Sequence, residues 1–233
     1  MTATVGGRDR WDLARRRLYL CTPDRPDLDV FVGRCIEGGV DLVQLREKDL
    51  DDAALVRRAT VVRRVCAAAG VPFVLNDRPD LAAEVGADGV HVGQDDASAG
   101  AARATIGPDA LVGLSTHASA ELDVAVGDLP GSTPAPVDYL SAGPVVPTPT
   151  KPGRPGTGTG YLAEAVTRSP WPVWVTGGVE PDRVGALVRA GARHFVAVRW
   201  LVGADDPERA ARALRSSIDR ALDDVGAGGR RTL

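Results

Sequence analysis

The chain has 233 residues, 44% hydrophobic and 25% charged, enough to bury a full core without disulfides or a structural metal. A formal net charge of −3 and a pI near 5.7 exclude the clustered basic excess of a nucleic-acid surface. No stretch approaches the roughly 20 apolar residues of a membrane span, and no long apolar run follows a charged start as in a signal peptide.

Residues 1–17 read as a mobile tail leading into a short helical turn from position 11, with Arg15, Arg16 and Arg17 as a solvated helix face. From Leu18 the pattern predicts strands at 18–22, 40–45, 73–76, 89–92, 111–115, 139–142, 173–176 and 194–198. Helical periodicity fills the gaps. A helix begins around Val30, Phe31 and Ile36 after Asp27 and Asp29, and Gly38-Gly39 stops it. Leu55, Ala59, Val62, Cys66 and Ala69 share one helix face, with Asp51 or Asp52 as cap and Gly70 as a left-handed stop. Val184, Leu187, Val188 and Gly191 form a similar stripe behind Pro181 in a first turn. A last helix is predicted from Pro207 to Val225, with 226–233 frayed.

Strict strand–helix alternation implies parallel strands with right-handed crossovers. Eight repeats of it predict a single (β/α)8 TIM barrel over residues 18–225, an α/β domain flanked by tails at 1–17 and 226–233. Two segments interrupt the rhythm. Residues 128–136 form a Pro/Gly/Ser-rich insertion, and residues 144–160 a long loop with one lysine, Lys151, expected to act as a lid. Cys21, Cys35 and Cys66 are odd in number and lack CxxC spacing, as expected of reduced, mostly buried thiols in a soluble cytoplasmic protein.

Several apolar runs end in polar clusters, and in a parallel barrel those ends form the active-site rim. Asp77 and Asp96 follow successive strands and are candidate Mg²⁺ ligands, since Mg²⁺ takes one or two carboxylates plus water and substrate phosphate. Each also fits a cap for the helix that follows, and Asp95 competes with Asp96. Arg46, Lys48 and Lys151 bring cations to the same rim, as departure of a pyrophosphate requires. Gly177-Gly178 and Val198-Arg199 follow the last two strands, where barrels bind phosphate through backbone N–H groups. Ser115, Thr148 and Thr150 offer hydroxyls, and Gln44 both a donor and an acceptor. Ser115 lacks a nucleophile's setting, with His117 two residues away. His91 and His194 read as barrel-interior or packing residues, and the Gly156–Gly160 run is neither a dinucleotide fingerprint nor a P-loop.

In register along the chain stand Gln44-Leu45-Arg46-Glu47-Lys48, Asn76-Asp77-Arg78, Gly93-Gln94-Asp95-Asp96, Gly113-Leu114-Ser115-Thr116-His117, Thr148-Pro149-Thr150-Lys151 and Gly177-Gly178-Val179. From about Leu18 to Ala210 the chain resembles the thiamine-phosphate synthases (thiamine-phosphate pyrophosphorylases). The resemblance implies a transferase that joins a hydroxymethylpyrimidine diphosphate to hydroxyethylthiazole phosphate and releases pyrophosphate. It implies one Mg²⁺ on Asp77 and Asp96. It implies a pyrimidine diphosphate site at Gln44, Arg46, Lys48, Asn76, Ser115 and Lys151, with Arg46, Ser115 and Lys151 in catalysis. The thiazole phosphate would fall on Thr148, Thr150, Gly178, Val198 and Arg199. Only small-molecule partners are implied, with neither nucleic acid nor membrane. Arg199 and Trp200 depart from the family pattern, which favours a small residue after the valine. The alternatives are a thiazole tautomerase-like isomerase, which has no need of Asp77, Asp96 and Lys151 together, and a non-catalytic phosphate-ligand sensor.

Overall fold

Short apolar strands buried on both faces and separated by amphipathic helices are satisfied by a barrel inside a ring of helices. The computed structural model has that form and is described over residues 11–128, 133, 135–148 and 155–228. Its strands are β1 (Leu18–Thr22), β2 (Leu42–Leu45), β3 (Phe73–Asn76), β4 (Gly89–Val92), β5 (Leu111–Thr116), β6 (Tyr139–Ala142), β7 (Val173–Val175) and β8 (His194–Ala197). All pair in parallel in chain order, and β1 closes the ring on β8. The helices are α1 (Leu28–Glu37), α2 (Asp52–Ala69), α3 (Pro79–Val85), α4 (Ala99–Ile106), α5 (Ser119–Val126), α6 (Gly158–Arg168), α7 (Pro181–Arg189), α8 (Arg199–Val202) and α9 (Pro207–Gly228). Among the described residues no helix is long and apolar enough to cross a membrane.

Local chemistry sets the boundaries. Asp51 accepts the Ala54 N–H at 2.7 Å to start α2, and Gly70, at φ 66°, ends it in the left-handed region. Leu55, Ala59, Val62 and Cys66 are buried as the stripe predicts, while Ala69 in the last turn is exposed. Pro181 occupies the first turn of α7, which buries Val184, Leu187 and Val188. Several boundaries differ from expectation: β2 starts at Leu42 rather than at position 40, and β5 runs one residue further, to Thr116. Val198 is not strand but the residue from which the single turn α8 starts (φ −122°, ψ −86°). Thr176 likewise falls beyond β7. The long loop after β6 is shorter than expected, because Gly158, Thr159 and Gly160 are already the first turn of α6. The last helix continues to Gly228, three residues past the predicted end at Val225. Thr150 and Lys151, with much of the 128–136 insertion, lie outside the described residues.

The barrel has two apolar layers. Residues pointing outward from the strands pack under the helices, with Leu20, Val43, Phe73, Leu75, Val90 and Phe195 among them. Residues pointing inward include Tyr19, Leu42, Val74, Leu111, Tyr139, Trp174 and Val196. Polar groups share that interior: Gln44, Asn76, His91, Ser115, Ser141 and His194 are all buried. A polar interior needs internal partners, and these are the source of the site's geometry.

At the N-terminal end of the strands the arginine triplet is not a solvated face. Only Arg15 points outward, paired with Asp12 at 3.1 Å. Arg16 lies over the Trp11 ring at 5.6 Å and donates to the carbonyls of Trp11 (2.7 Å) and Asp41 (2.5 Å). The Asp41 carboxylate accepts the backbone N–H groups of Arg17 and Leu18 and pairs with Arg215 of α9 at 2.8 Å. A half-buried carboxylate needs such donors, and they fold the N-terminal segment against the barrel.

His194 sits in the same region, its Nδ1–H donating to the Arg16 carbonyl at 2.7 Å. Burial, aided by the charges of Arg17 and Arg193, pushes its pKa down to about 4 against the pull of that hydrogen bond. The unfolded chain therefore binds a proton between pH 6.5 and 4 that the native ring refuses. Stability falls as pH drops through that window, by at most about 3 kcal/mol. His194→Gln is expected to flatten the dependence, read by urea unfolding at pH 6.5, 5.5 and 4.5. An unchanged slope would mean that the native ring titrates normally.

Candidate active site

Strand β3 ends at Asn76, and the backbone turns at once. Asp77 sits at φ 62°, a left-handed conformation that is costly for any residue but glycine. The Arg78 N–H bonds back to the Asn76 carbonyl across it at 2.8 Å, and the Asp77 N–H bonds to the His91 carbonyl at 2.8 Å. This turn carries the Asp77 carboxyl to Lys48 Nζ at 2.8 Å and into hydrogen-bond contact with Asp96. Asp96 in turn accepts the Gly93 N–H at 2.8 Å. Neither carboxylate caps the following helix, since α3 starts from Arg78 and α4 is capped by Ser98. Burial pushes the Asp77 carboxyl up, with Lys48 opposing and Asp96 adding to the rise. Burial acts the same way on Asp96, but hydrogen bonds from Asp77 and the Gly93 N–H outweigh it and hold Asp96 down.

Beside this pair a cavity of about 290 Å³ opens at the C-terminal ends of the strands. Gln44 and Arg46 reach it from β2, Asn76 from β3, His91 from β4, Ser115 from β5 and Ser141 from β6. Thr148, Gly177, Gly178, Val198 and Arg199 line its other side. Gly177 and Gly178 lie at φ 89° and 71°, and a β-carbon on them would strike Pro144 or Val146. Glycine is therefore required at both positions by the backbone angle and by the packing of the segment after β6 against them. Glu180, also on the lining, pairs with Arg183 at 2.8 Å.

The floor of the cavity is a row of hydrogen bonds. Cys21 Sγ lies 3.0 Å from Gln44 Oε1, and Gln44 Nε2 lies 2.9 Å from the Tyr19 hydroxyl. The Tyr19 and Tyr139 hydroxyls are 3.0 Å apart, and Tyr139 is 3.2 Å from His91 Nδ1. His91 Nε2 is 2.9 Å from Ser115 Oγ, which is 3.3 Å from Ser141 Oγ. Gln94 Nε2 holds the Ser115 carbonyl at 2.6 Å. Asn76 Nδ2 is buried and has no hydrogen-bond partner among the described residues.

A sequence profile of the thiamine monophosphate synthase family matches residues 18–201. The thiamine-phosphate synthase of Acidothermus cellulolyticus is 42% identical over 215 residues, covering 90% of this chain and 98% of that protein. That of Thermus thermophilus is 43% identical over 210 residues, covering 87% and 97%. The chain belongs to the thiamine monophosphate synthase family. The solved structure of a thiamine phosphate pyrophosphorylase from Pyrococcus furiosus superposes with a TM-score of 0.76 at 27% identity, over 88% of this chain and 96% of that one. The same barrel at 21% identity in a 3-hexulose-6-phosphate synthase (TM-score 0.62) shows the fold alone. The tautomerase and sensor alternatives find no support in these relatives, and a member of this family is a transferase.

As a member of this family, the chain brings most of its expected site residues together. Gln44, Arg46, Asn76, Ser115, Thr148, Gly178, Val198 and Arg199 line one cavity, and next to it Lys48 pairs with Asp77, which meets Asp96. Thr150 and Lys151 lie outside the described residues. The Arg199 side chain is exposed. The histidine beside Ser115 is His91, not His117, whose Nδ1 turns to Glu121 at 2.9 Å. The His91 Nδ1 meets the Tyr139 hydroxyl, so among the described residues that nitrogen does not carry the hydrogen-bonded carboxylate of a Ser–His–Asp triad. Sequence reasoning did not select Tyr19, Cys21, Ser141, Thr176, Glu180 and Trp200, which also line the cavity. For Tyr19 and Ser141 the available signal was a polar side chain at an inward position of an apolar strand.

Proposed function

We propose that the chain is a thiamine-phosphate synthase, condensing 4-amino-2-methyl-5-(diphosphooxymethyl)pyrimidine with hydroxyethylthiazole phosphate to give thiamine phosphate and pyrophosphate. The observation that carries this reading is the convergence of Gln44, Arg46, Asn76 and Ser115, from the ends of three strands, on one cavity beside the Lys48–Asp77–Asp96 cluster. Family membership supplies the reaction. Residues 18–225 form the catalytic domain in this reading, and the protein is cytoplasmic, as three buried cysteine thiols suit.

Asp77 and Asp96 fit a hard divalent cation such as Mg²⁺. They are oxygen donors brought together at the rim, and a cation beside two adjacent carboxylates favours the charged form of both. When bound, Mg²⁺ would neutralise charge on the diphosphate. Arg46, Lys48 and Lys151 hold the diphosphate and stabilise it as the methylene C–O bond breaks, the bonding pair leaving with pyrophosphate. Gln44, Asn76 and Ser115 orient the aminopyrimidine, whose electron-rich ring carries the developing cation. Thr148, Thr150, Gly178 and the backbone at Val198 and Arg199 hold the thiazole phosphate, so that the ring nitrogen attacks the methylene carbon. No general base is needed for that step, and positioning accounts for much of the rate.

The test is incubation of purified protein with both substrates and Mg²⁺, with and without EDTA, followed by conversion of product to fluorescent thiochrome. Product that disappears with EDTA is expected. No product from folded protein would overturn the reading. Lys151→Ala and Asp96→Ala are each expected to lower turnover at least ~100-fold without changing the circular dichroism melt. Near-normal turnover in either would remove that residue from the site.

A further inference from the structure

The groups under the cavity form an uninterrupted line from Cys21 through Gln44, Tyr19, Tyr139, His91 and Ser115 to Ser141, and the line has a direction. Gln44 Oε1 can only accept, so the Cys21 thiol donates to it. Gln44 Nε2 can only donate, so the Tyr19 oxygen accepts. Burial pushes both the Tyr19 and Tyr139 phenols up, so each keeps one proton to give. The Tyr19 proton goes to the Tyr139 oxygen, and the Tyr139 proton to His91 Nδ1. An accepting Nδ1 leaves the proton of a neutral imidazole on Nε2, which faces Ser115 Oγ. Ser115, already accepting from His91, has its own hydrogen free to point onward. Running the line backward with Gln44 as it stands leaves the proton of fully buried Tyr19 without an acceptor in the line, at a cost of about 1–3 kcal/mol.

We propose that Tyr19, Tyr139 and His91 are positioning residues, which fix His91 as its Nε2–H tautomer and thereby present Ser115 as a hydrogen-bond donor to the substrate. In the free protein Ser141 Oγ receives that hydrogen at 3.3 Å, a long contact that a better acceptor on the ligand replaces. The same line holds the Gln44 amide on the opposite wall in one orientation, so the donor and acceptor pattern offered to a heterocycle is set before it binds. Gly113 supports the assignment from a separate direction. A β-carbon there would overlap the Tyr139 ring and His91 Nδ1, so this glycine on β5 is what lets the tyrosine reach the imidazole. The role of Ser115 toward substrate rests on the proposed synthase reaction, whereas the tautomer does not.

The test has two arms. The protein has only three histidines, so ¹⁵N-histidine labelling gives a spectrum in which His91→Gln identifies the His91 signals. The expected result for free wild-type protein at pH 7.5 is a neutral ring protonated at Nε2. Protonation at Nδ1 would overturn the proposal, because it requires the reversed line with the Gln44 amide turned over. In the second arm, Tyr139→Phe is compared in the wild-type and Ser115→Ala backgrounds. The expected loss in kcat/KM is roughly tenfold in wild type and little or none in Ser115→Ala, since Tyr139 acts through Ser115. Equal losses in both backgrounds would overturn it. If wild-type protein turns over neither substrate, the reaction is wrong, but the tautomer arm still decides the proposal.

Discussion

Asp77→Gly is expected to raise the melting temperature by about 2–4 °C while lowering turnover at least ~100-fold. The two effects come from the same residue through different atoms. Its backbone sits at φ 62°, which costs about 1–3 kcal/mol for a residue with a β-carbon. Glycine removes that cost and gives back about 0.5–1 kcal/mol through the greater freedom of its unfolded chain, leaving about 1 kcal/mol of net gain. The Lys48 pair is lost as well, but Lys48 is 53% exposed in it, so that loss is small. The carboxyl is meanwhile the group that meets Asp96, and without it Asp96 faces a cation alone. Asp77→Asn keeps the strained turn and removes the charge, and is expected to melt near wild type with the same loss of turnover. Calorimetry and the thiochrome assay on both variants make the check. A fall in melting temperature for the glycine variant would show that the turn is not the source of strain. Retained turnover would remove Asp77 from metal binding.

The barrel was legible because burial on both faces makes each strand an apolar run, and Gly and Pro mark the places where helices stop or start. Gly70 and Pro181 do so at the predicted positions. Position 158 shows the limit of that signal. Gly-Thr-Gly has poor helix propensity, yet α6 begins there because Tyr161, Leu162 and Ala165 bury its face against the barrel. The arginine triplet misled for a related reason. Its partner Asp41 is 25 residues away from Arg16 in the chain, and no local pattern announces that contact.

The rim was legible because its residues follow strands directly, so position in the repeat is position in space. Which carboxylate meets which was not, since composition alone leaves Asp95 as near as Asp96; the contact from Asp77 to Asp96 comes from the turn at φ 62°. The floor was the least visible part. Tyr19, His91 and Tyr139 belong to largely apolar strands, and an inward polar residue looks like packing until the ring closes and the strands meet. Once closed, Tyr19 of β1 lies against Tyr139 of β6, a contact across the barrel interior rather than along any pair of adjacent strands.

Asn76→Leu is expected to stabilise the free protein by about 1 kcal/mol and to lower kcat/KM for the pyrimidine diphosphate at least ~100-fold. Asn76 is 6% exposed, and its Nδ2 has no partner among the described residues. A buried donor left unpaired costs about 1–3 kcal/mol, and a leucine of similar volume has no such donor. That cost is borne only while the cavity holds no acceptor, so a substrate that supplies one binds more tightly by the amount the free protein lacks. The loss is expected in the KM for the pyrimidine substrate, with the KM for the thiazole phosphate nearly unchanged, because Gly178 and Thr148 stand on the other side of the cavity. Asn76→Asp separates donation from shape: it keeps the size, replaces the donor with an acceptor, and adds a third carboxylate beside Asp77 and Asp96. It is expected to lose as much activity as the leucine variant and to gain no stability. If Asn76→Asp retained wild-type KM for the pyrimidine, the unpaired Nδ2 would not be the group that meets it, and the orientation of the heterocycle would have to be set by Gln44 and Ser115 alone.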